Sequence, residues 1–354
     1  MRTTKIAYSM TRRQSQSRVG SIYQSLIRDK YELNGDTEAA DVVIIQHPAW
    51  HYQLSYQMNP HLKDKYVIAY CVAHADDIPA SWKRSLSLVQ EVWSCSDYCC
   101  DVISKHHSNV VKVPYVVERE TTAPDNIVAF TKRLIEYDPT CVYFLAVAPI
   151  KEPRKNIEAL VASFNKVSKS IPKARLVIKA GPDDRATWDS HEKVILLPMT
   201  LPHEHITALY QLADVYVSAH HSESWGTTIS DAILFNKPVI ATGYSGNMEY
   251  MDAADSFLLS YHYDRVPPNV RGVSIEDGMR WGTPDPESLE ENLVRLYVDY
   301  KSPETLEKVA RASQRMKSFN RRQAAAIIYD RIERAAGRPV AAETAAKTVE
   351  SSIA

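Results

Sequence analysis

The sequence predicts an α/β protein of two successive domains, each built on a parallel sheet that helices cover on both faces. Three observations lead to this fold. Short apolar segments alternate with segments of helical periodicity, which is typical of doubly wound sheets. A polar, acid-rich connection separates two such series. The length of 354 residues also suits two domains, each with its own core.

The first series predicts a domain over residues 1–118. Its helix after the first strand has one apolar stripe from Val19 to Ile27, spaced at i, i+3, i+4, i+7 and i+8. The connection Glu118–Asn126, which contains Pro124, is the predicted hinge. The strands are expected at Lys5–Met10, Asp41–His47, Lys65–Val72, Glu91–Ser96 and Val110–Val117.

The second series predicts a domain over residues 127–316. The near-continuous apolar run Val142–Ala148 suits a strand that is covered on both faces. A helix is expected from Lys155 onward, and a last helix over 321–335. Residues 339–354 lack large apolar side chains, which predicts a disordered tail. The other strands are expected at Arg175–Ala180, Val194–Leu197, Val215–Ala219, Pro238–Thr242 and Ser256–Leu259.

Composition indicates a globular protein with no general attraction for nucleic acid. Hydrophobic residues make up 45%, charged residues 24%, and the formal net charge is −1. Neither a membrane-spanning segment of about 20 apolar residues nor a secretion signal is recognisable, so a cytoplasmic protein is expected. Residues 1–30 hold seven basic residues and one acid, Asp29. This cluster could contact anionic lipid at the inner face of a membrane, or be a solvated face.

The five cysteines form no spaced set of pairs suited to zinc, so neither a metal site nor a disulfide is predicted. The histidine pairs His106-His107 and His220-His221 have no context that suggests chemistry. They are expected to be surface or loop residues.

The segment Ser222–Met251 carries the most informative pattern. Glu223 and Asp231 are separated by seven residues, and an apolar strand precedes them. Gly226 permits a sharp turn, after which Thr227 or Thr228 can cap a helix. Glu223 is thus expected in a loop beyond a strand's carboxyl end, with Asp231 about two turns down the helix. Acids near a helix start also occur on many surface helices, so the spacing alone leaves both interpretations open.

The whole segment resembles the Glu-x7-Glu element of retaining GT-B glycosyltransferases, in particular glycosyltransferase family four (glycosyl transferases group 1). Asp231 stands where most members carry the second glutamate. The resemblance is strongest from Pro153 to Met251, and it implies the GT-B fold: two Rossmann-like domains facing a cleft. Residues 1–118 would be the acceptor domain, completed by a C-terminal helix that crosses back, and residues 127–316 the nucleotide-sugar donor domain. Glu223 would lie against the donor sugar, and Asp231 would hold the nucleotide's ribose.

A diphosphate site is expected where Arg154 and Lys155 open a helix, because side-chain cations and free helix amides both attract phosphate. Family members carry the lysine and often an arginine five residues earlier, where this chain has Ile150. Arg154 could replace that missing charge. Further donors are expected from Gly226, Thr227 and Thr228.

Three more regions are candidate contacts on the family's pattern. The loop Ser15–Ser21 occupies the place of a glycine-rich loop but keeps only Gly20, which could equally be part of a helix start. His74 follows a strand end, where relatives often carry a glutamate. It could act in catalysis by bonding a sugar hydroxyl or the leaving phosphate, or be satisfied by a neighbouring aspartate. Met199 and Thr200 would meet the nucleotide base through backbone groups. The segment Gly278–Asp285 is expected to serve packing alone.

These expectations describe a metal-independent retaining glycosyltransferase without a cofactor. The donor would be a UDP- or GDP-sugar and the acceptor a glycan, a lipid-linked sugar or a small molecule. The alternatives are a non-catalytic sugar-nucleotide or carbohydrate-binding protein of the same fold, or a GT-B phosphorylase or epimerase. Ile150, the shorter acid at Asp231 and the single glycine at Gly20 favour the non-catalytic alternative.

Overall fold

The structure, a computed structural model, describes residues 4–10, 14–184, 192–268, 270, 276 and 278–337. The chain divides into two units. We name as the N-terminal unit the chain up to Ala73, Asp77–Val116 and the part from Phe319 onward. The C-terminal unit holds His74–Asp76 and Val117–Ser318. Residues 339–354, the predicted disordered tail, lie outside the described residues, as do Arg2, Arg12 and Arg13 of the basic cluster.

The N-terminal unit contains a parallel six-stranded sheet in the order β2-β1-β3-β4-β5-β6. Its strands are β1 (Lys5–Met10), β2 (Glu32–Asn34), β3 (Val42–Gln46), β4 (Tyr66–Tyr70), β5 (Glu91–Ser94) and β6 (Val110–Lys112). The helices are α1 (Gln14–Arg28), α2 (Tyr52–Met58), α3 (Ala80–Leu86) and α4 (Asp97–Ser104). The sequence pattern missed β2, because three residues are too few to show a strand period.

The segment 15–21 is part of helix α1, which agrees with the helix-start alternative for Gly20 rather than with a glycine-rich loop. A Cβ atom at Gly20 would lie 2.5 Å from both Gln46 Oε1 and Met10 Sδ. Glycine therefore lets α1 approach the carboxyl ends of β1 and β3 closely. The amphipathic stripe of α1 explains why helix prevails over loop here, since Tyr23 and Ile27 are fully buried.

The C-terminal unit contains a second parallel six-stranded sheet, in the order β12-β11-β10-β7-β8-β9. Its strands are β7 (Val142–Val147), β8 (Ala174–Ala180), β9 (Val194–Pro198), β10 (Val215–Ser218), β11 (Val239–Thr242) and β12 (Phe257–Leu259). An antiparallel hairpin follows, formed by β13 (Tyr261–Arg265) and β14 (Arg280–Pro284). The helices are α5 (Asp125–Leu134), α6 (Ile157–Val167), α7 (His203–Leu212), α8 (Thr227–Leu234), α9 (Pro286–Asp299) and α10 (Pro303–Met316).

Helices α6 and α9 cover one face of this second sheet, and their apolar stripes form its core with the strands. Phe144 of β7 and Phe164 of α6 are both fully buried, with ring centroids 6.2 Å apart. The near-continuous apolar strands predicted a doubly covered sheet, and the structure has this arrangement. None of the described helices combines the length and the apolar character needed to cross a membrane.

The last helix, α11 (Arg321–Ala336), packs within the N-terminal unit. Ile328 and Ile332 are fully buried, and Arg331 donates from Nε and Nη2 to the two carboxylate oxygens of Glu91, at 2.8 and 2.6 Å. The helix predicted over 321–335 thus exists and is attached to the first sheet by a buried ion pair.

The connection predicted as a hinge is largely docked on the C-terminal unit. Ala123 N–H donates to Gln211 Oε1 at 2.9 Å, and Arg119 forms a buried ion pair with Asp231 of α8. From Asp125 onward the connection is helical. Side chains of α7 and α8 therefore hold most of this segment in place.

Candidate active site

The order of the second sheet determines where a ligand site is expected. On one side of β7 lie β8 and β9, which follow it in sequence. The chain then crosses to the other side of β7, where β10, β11 and β12 follow one another toward the opposite edge. The boundary between β7 and β10 is thus a topological switch point, and open parallel sheets bind ligands at the carboxyl edge of such a point. The two loops there hold Arg154 and Lys155 after β7, and Glu223 after β10.

The backbone of Glu223 is fixed by the segment that follows β11. Its N–H donates to Ser245 Oγ at 2.8 Å, and its carbonyl accepts from Gly246 N–H at 2.7 Å. A Cβ atom at Gly246 would lie 1.8 Å from the carbonyl oxygen of Ser224. Only glycine can therefore stand at this close approach of the two loops. Ser245 and Gly246 thus fix the backbone of Glu223 at both its N–H and its carbonyl, and with it the place from which the carboxylate extends.

The Glu223 side chain is buried and lies between two cations. Lys155 Nζ contacts Oε1, and Arg154 Nη1 lies 3.0 Å from Oε2. Burial by itself would raise the pKa of Glu223, but the charges of Lys155 and Arg154 outweigh it and hold the pKa well below its ordinary value. The carboxylate is thus ionised at the pH values at which a protein is ordinarily folded.

Arg154 is committed to protein partners. Nε and Nη2 donate to Glu152 Oε1 at 3.0 and 2.5 Å, and Nη1 donates to the carbonyl of Ser222. The residue is 5% exposed. The guanidinium braces Glu223 and the loop before it, so the geometry does not favour the predicted contact of Arg154 with a diphosphate.

Lys155 is the more accessible cation of the two, with a side chain 15% exposed against 6% for Arg154. The sequence placed this basic pair in the first turn of a helix. In the structure it forms a separate 3-10 turn, Pro153–Lys155, and Asn156 is left-handed at φ 53° before α6 begins at Ile157. The left-handed residue interrupts the helix and turns the basic pair toward the loop after β10.

His74 belongs to the C-terminal unit, although it follows β4 in sequence. Its Nδ1 is enclosed and has no hydrogen-bond partner in the described part of the chain. Burial lowers the pKa of His74 to about 3, helped by Arg154 and Lys155 and opposed by Glu223. The imidazole is therefore neutral at ordinary pH. No described aspartate satisfies Nδ1.

Asp231 is the fifth residue of α8, so it lies just over one turn from the helix start rather than about two. It is 3% exposed, and its Oδ2 accepts from Arg119 Nη1 at 2.6 Å. The Arg119 guanidinium also lies 5.3 Å from the ring centroid of Tyr210. This ion pair engages the acid that was predicted to hold ribose. Sequence reasoning missed Arg119, because 112 positions separate it from Asp231.

The start of α8 differs from the predicted threonine cap. Gly226 is the cap residue, at φ 84°, and no side chain bonds to the helix amides there. Tyr250 Oη donates to the carbonyls of Trp225 and Gly226, at 2.7 and 2.9 Å. Thr227 and Thr228 are the first two helical residues. The turn is thus held by Tyr250, and the amides of the first turn have no side-chain acceptor at the cap position.

The remaining predicted residues lie elsewhere. Met199 and Thr200 follow β9, the edge strand of the second sheet, as a half-buried and an exposed residue. Gly20 lies inside helix α1 of the N-terminal unit. The structure therefore brings together Glu223, Lys155 and Arg154, with His74 within reach of their charges.

His220, predicted to be a surface or loop residue, lies in the loop after β10 but not at the surface. It is fully buried. Its Nδ1 lies 3.0 Å from Ser218 Oγ, and its Nε2 lies 3.0 Å from Asn247 Oδ1. Since Asn247 Nδ2 donates to the carbonyl of Thr242 at 2.9 Å, Asn247 Oδ1 must accept from His220 Nε2–H. Burial lowers the pKa of His220 to about 4.

The described residues contain no group of three or more histidine, cysteine, aspartate or glutamate side chains placed to hold a metal ion. All five cysteines are free thiols. Lys155 and the amides that begin α8 are positive groups that an anionic ligand at this edge could contact.

Comparison with known proteins agrees with this geometry. Residues 139–264, about a third of the chain, match the family model described as "Glycosyl transferases group 1". The match includes both loops of the switch point but not His74, Gly20 or Arg119. No curated protein matched the chain by sequence.

Solved structures match over most of the chain at low identity. The structure of Anabaena Alr3699/HepE in complex with UDP and glucose is 12% identical, with 94% of this chain and 100% of that chain covered and a TM-score of 0.64. A glycosyltransferase from Rickettsia africae ESF-5 is 12% identical over 96% and 100%, with a TM-score of 0.67. The GtfA/B complex is 13% identical, with a TM-score of 0.58. The match includes 84% of the present chain but only 57% of the GtfA/B chain.

At these identities the likeness establishes the fold. The family model and the solved structures together support a glycosyltransferase of GT-B fold, with the glycosyl transferases group 1 match over residues 139–264.

Proposed function

We propose that the protein is a retaining glycosyltransferase that moves a sugar from a UDP- or GDP-sugar to a glycan, lipid-linked or small-molecule acceptor. The observation that carries the proposal is the ionised Glu223, held by Lys155 and Arg154 at the carboxyl edge of the second sheet. The match of residues 139–264 to the family model supports it. The similar structure of Anabaena Alr3699/HepE is a complex with UDP and glucose, which supports a uridine donor in particular.

The chemistry needs opposite charges at two places. Positive charge gathers on the anomeric carbon as the donor bond breaks, and negative charge gathers on the departing diphosphate. Glu223 is a buried carboxylate that can stabilise the first, and Lys155 with the first amides of α8 can stabilise the second. Because these groups are already oriented by the protein, little reorganisation is needed during the reaction.

In the proposed front-face displacement, the bond between the anomeric carbon and the diphosphate oxygen breaks. The acceptor oxygen bonds to the same face of that carbon, and its proton passes to the departing phosphate. Configuration is thereby retained. Burial lowers the pKa of His74, and its enclosed Nδ1 has no hydrogen-bond partner among the described residues. The proposal assigns to this nitrogen a hydrogen bond with a donor sugar hydroxyl. The proposal uses no metal ion.

Lys155→Met tests the diphosphate contact. Lys155 has a side chain that is only 15% exposed and is oriented toward Glu223, whereas the neighbouring Lys151 is exposed. We expect Lys155→Met to weaken UDP binding at least tenfold by calorimetry and to abolish measurable transfer. The matched variant Lys151→Met should leave both unchanged. Equal effects of the two substitutions would reject Lys155 as the phosphate ligand.

A second candidate is a protein that binds sugar nucleotides without transfer. It is favoured by the arrangement at Arg154 and Asp231, since both are engaged by protein partners, and by Ile150 in place of an arginine. A transfer assay with UDP-glucose and a panel of glycan acceptors separates the candidates. The assay is repeated with a GDP-sugar. Nucleotide binding with release of neither UDP nor GDP would support the second candidate and overturn the first.

A further inference from the structure

The β13–β14 hairpin contacts two parts of the candidate active site. Its strands pair with Tyr261 opposite Pro284 and Arg265 opposite Arg280. Residues 280–283 of β14 make these contacts, and Thr283 Oγ1 lies 3.2 Å from His221 Nδ1. The sequence assigned this segment to packing alone.

Arg280 and Asp76 form a three-bond clamp. Asp76 N–H donates to the carbonyl of Arg280 at 2.9 Å. The N–H of Arg280 donates to Asp76 Oδ1 at 2.6 Å, and its Nε donates to Asp76 Oδ2 at 2.9 Å. The three hydrogen bonds involve the backbone and the side chain of both residues. They therefore fix both the position and the orientation of the backbone at Asp76.

The next two residues of β14 hold the loop that leads to Glu223. The indole of Trp281 stacks on His221, with ring centroids 4.4 Å apart and an interplanar angle of 6°. Gly282 N–H donates to the carbonyl of His221 at 3.1 Å, and His221 N–H donates to the carbonyl of Arg154 at 2.8 Å. One short strand therefore braces both the chain at Asp76 and the chain beside Glu223.

We infer that Arg280 and Asp76 are positioning residues that hold His74 at the distance from Glu223 that sugar transfer requires. His74 lies two residues before Asp76, and its enclosed Nδ1 has no partner in the described residues. No hydrogen bond at Nδ1 fixes the ring among the described residues, so the backbone that carries His74 contributes to its place. This inference rests on the proposed function.

The exposure of the clamp argues that it serves position more than stability. The side chains of Arg280 and Asp76 are 56% and 24% exposed, and ion pairs with this much solvent contact contribute little to folding. A misplacement of about 1 Å in an active site, by contrast, can cost roughly 100-fold in rate. Variants of the clamp should consequently fold and still lose activity.

Kinetics of Arg280→Met test the inference. We expect the kcat of transfer to fall about 10- to 100-fold, with the KM for the nucleotide sugar within about twofold. Arg265→Met is the matched control, because Arg265 is the exposed arginine opposite Arg280 on the same hairpin; its kinetics should match the wild type. Arg280→Lys should recover part of kcat, and Arg280→Met combined with His74→Ala should be no slower than His74→Ala alone. Multiplied losses in the double variant would overturn the inference.

A spectroscopic measurement separates this inference from the proposed function. In ¹⁵N-labelled protein, the His74 ring signals are identified by their loss in His74→Ala. We expect Arg280→Met to shift them and Arg265→Met to leave them in place. Arg280→Met removes the side-chain bond of the clamp, and Asp76→Ala removes both bonds that end on the carboxylate. Unshifted signals in both variants would reject the clamp even if the wild type transfers sugar. Shifted signals in a protein that transfers no sugar would support the clamp and reject the proposed function.

Discussion

Glu223 combines deep burial with full ionisation, and its neighbours explain how. A buried carboxylate is costly unless charges or hydrogen bonds compensate it. Lys155 and Arg154 supply the charges, and Ser245 and Gly246 fix the backbone. The arrangement keeps a negative charge oriented in a place from which water is largely excluded.

Replacement of that charge should reduce transfer strongly. We expect Glu223→Gln to lower kcat roughly 10²- to 10³-fold, the usual cost of one preorganised electrostatic contact, with little change in nucleotide affinity. Steady-state kinetics and calorimetry with UDP measure the two effects. Glu204→Gln, an exposed acid in the first turn of α7, is the control. A variant as fast as the wild type would exclude the proposed role of Glu223.

His220 should make the fold sensitive to acid. Its pKa is lowered from 6.5 to about 4 in the folded protein, so the unfolded chain binds a proton first as pH falls. The stability it contributes is complete above pH 6.5 and is lost progressively between 6.5 and about 4. Urea unfolding at pH 7.5, 6 and 5 measures this loss, which should be smaller in His220→Gln.

The exposed His262 provides the contrast for this prediction. Its hydrogen bond to Asp285 raises the pKa of His262, so its contribution would be present at low pH and lost as pH rises. His262→Asn removes stability at low pH, so it should leave the loss in acid at least as large as in the wild type. The same pH dependence in His220→Gln as in the wild type would contradict the role given to His220.

Among the elements, α11 depends on a buried ion pair more than on its own amphipathic pattern. Glu91 is fully buried, and besides Arg331 it accepts from Tyr66 Oη at 3.0 Å and Trp93 Nε1 at 2.6 Å. The last helix and the fifth strand of the first sheet thus share one charged centre. A buried acid without its cation is costly.

Arg331→Met should accordingly lower the free energy of unfolding of the protein by about 3 kcal/mol, near the lower end of the range for a broken buried pair, since Tyr66 and Trp93 still donate to Glu91. Denaturant unfolding measures it. Arg334→Met removes an exposed pair with Asp330 on the same helix and should cost less than about 1 kcal/mol. Equal losses of unfolding free energy in the two variants would show that the buried pair with Glu91 stabilises the protein no more than the exposed pair with Asp330.

The elements also indicate how far the sequence predicts structure. Apart from β2, which was not predicted, every strand of the two sheets lies at a predicted position, because an apolar run between turns is a local signal. The largest difference is at β6, which ends at Lys112 and not at Val117. The β13–β14 hairpin was not predicted, since most of β13 is exposed and polar. The threonine cap of α8 failed for another reason: Gly226 takes the cap position at φ 84°, held by Tyr250 from 24 residues away.

At the scale of the whole molecule, two parallel sheets of the same size each have a topological switch point. The boundary lies between β1 and β3 in the first sheet and between β7 and β10 in the second. Among the described residues, Lys155 and the start of α8 can bind an anionic ligand, and both lie at the switch point of the second sheet. Nucleotide binding is therefore expected to stabilise the C-terminal unit.

Thermal unfolding with UDP, GDP and ADP tests this at the level of the entire protein. A nucleotide that binds only the folded state adds about 2.7 kcal/mol at one hundred times its dissociation constant. We expect a rise in Tm with one of the three, and the same rise in EDTA as in magnesium. A rise that disappears in EDTA would contradict metal-independent binding, and no rise with any nucleotide would count against the donor site.

The sequence by itself determined the two-sheet α/β fold, the loop position of Glu223 beyond a strand and its proximity in chain order to α8. Each follows from local periodicity or from short spacing. Only the tertiary structure decided which charges meet. Arg119 reaches Asp231 across 112 positions, Arg154 donates to the carbonyl of Ser222 across 68, and Arg280 binds Asp76 across 204. Such pairings depend on how distant elements pack, and no local pattern of side chains encodes that.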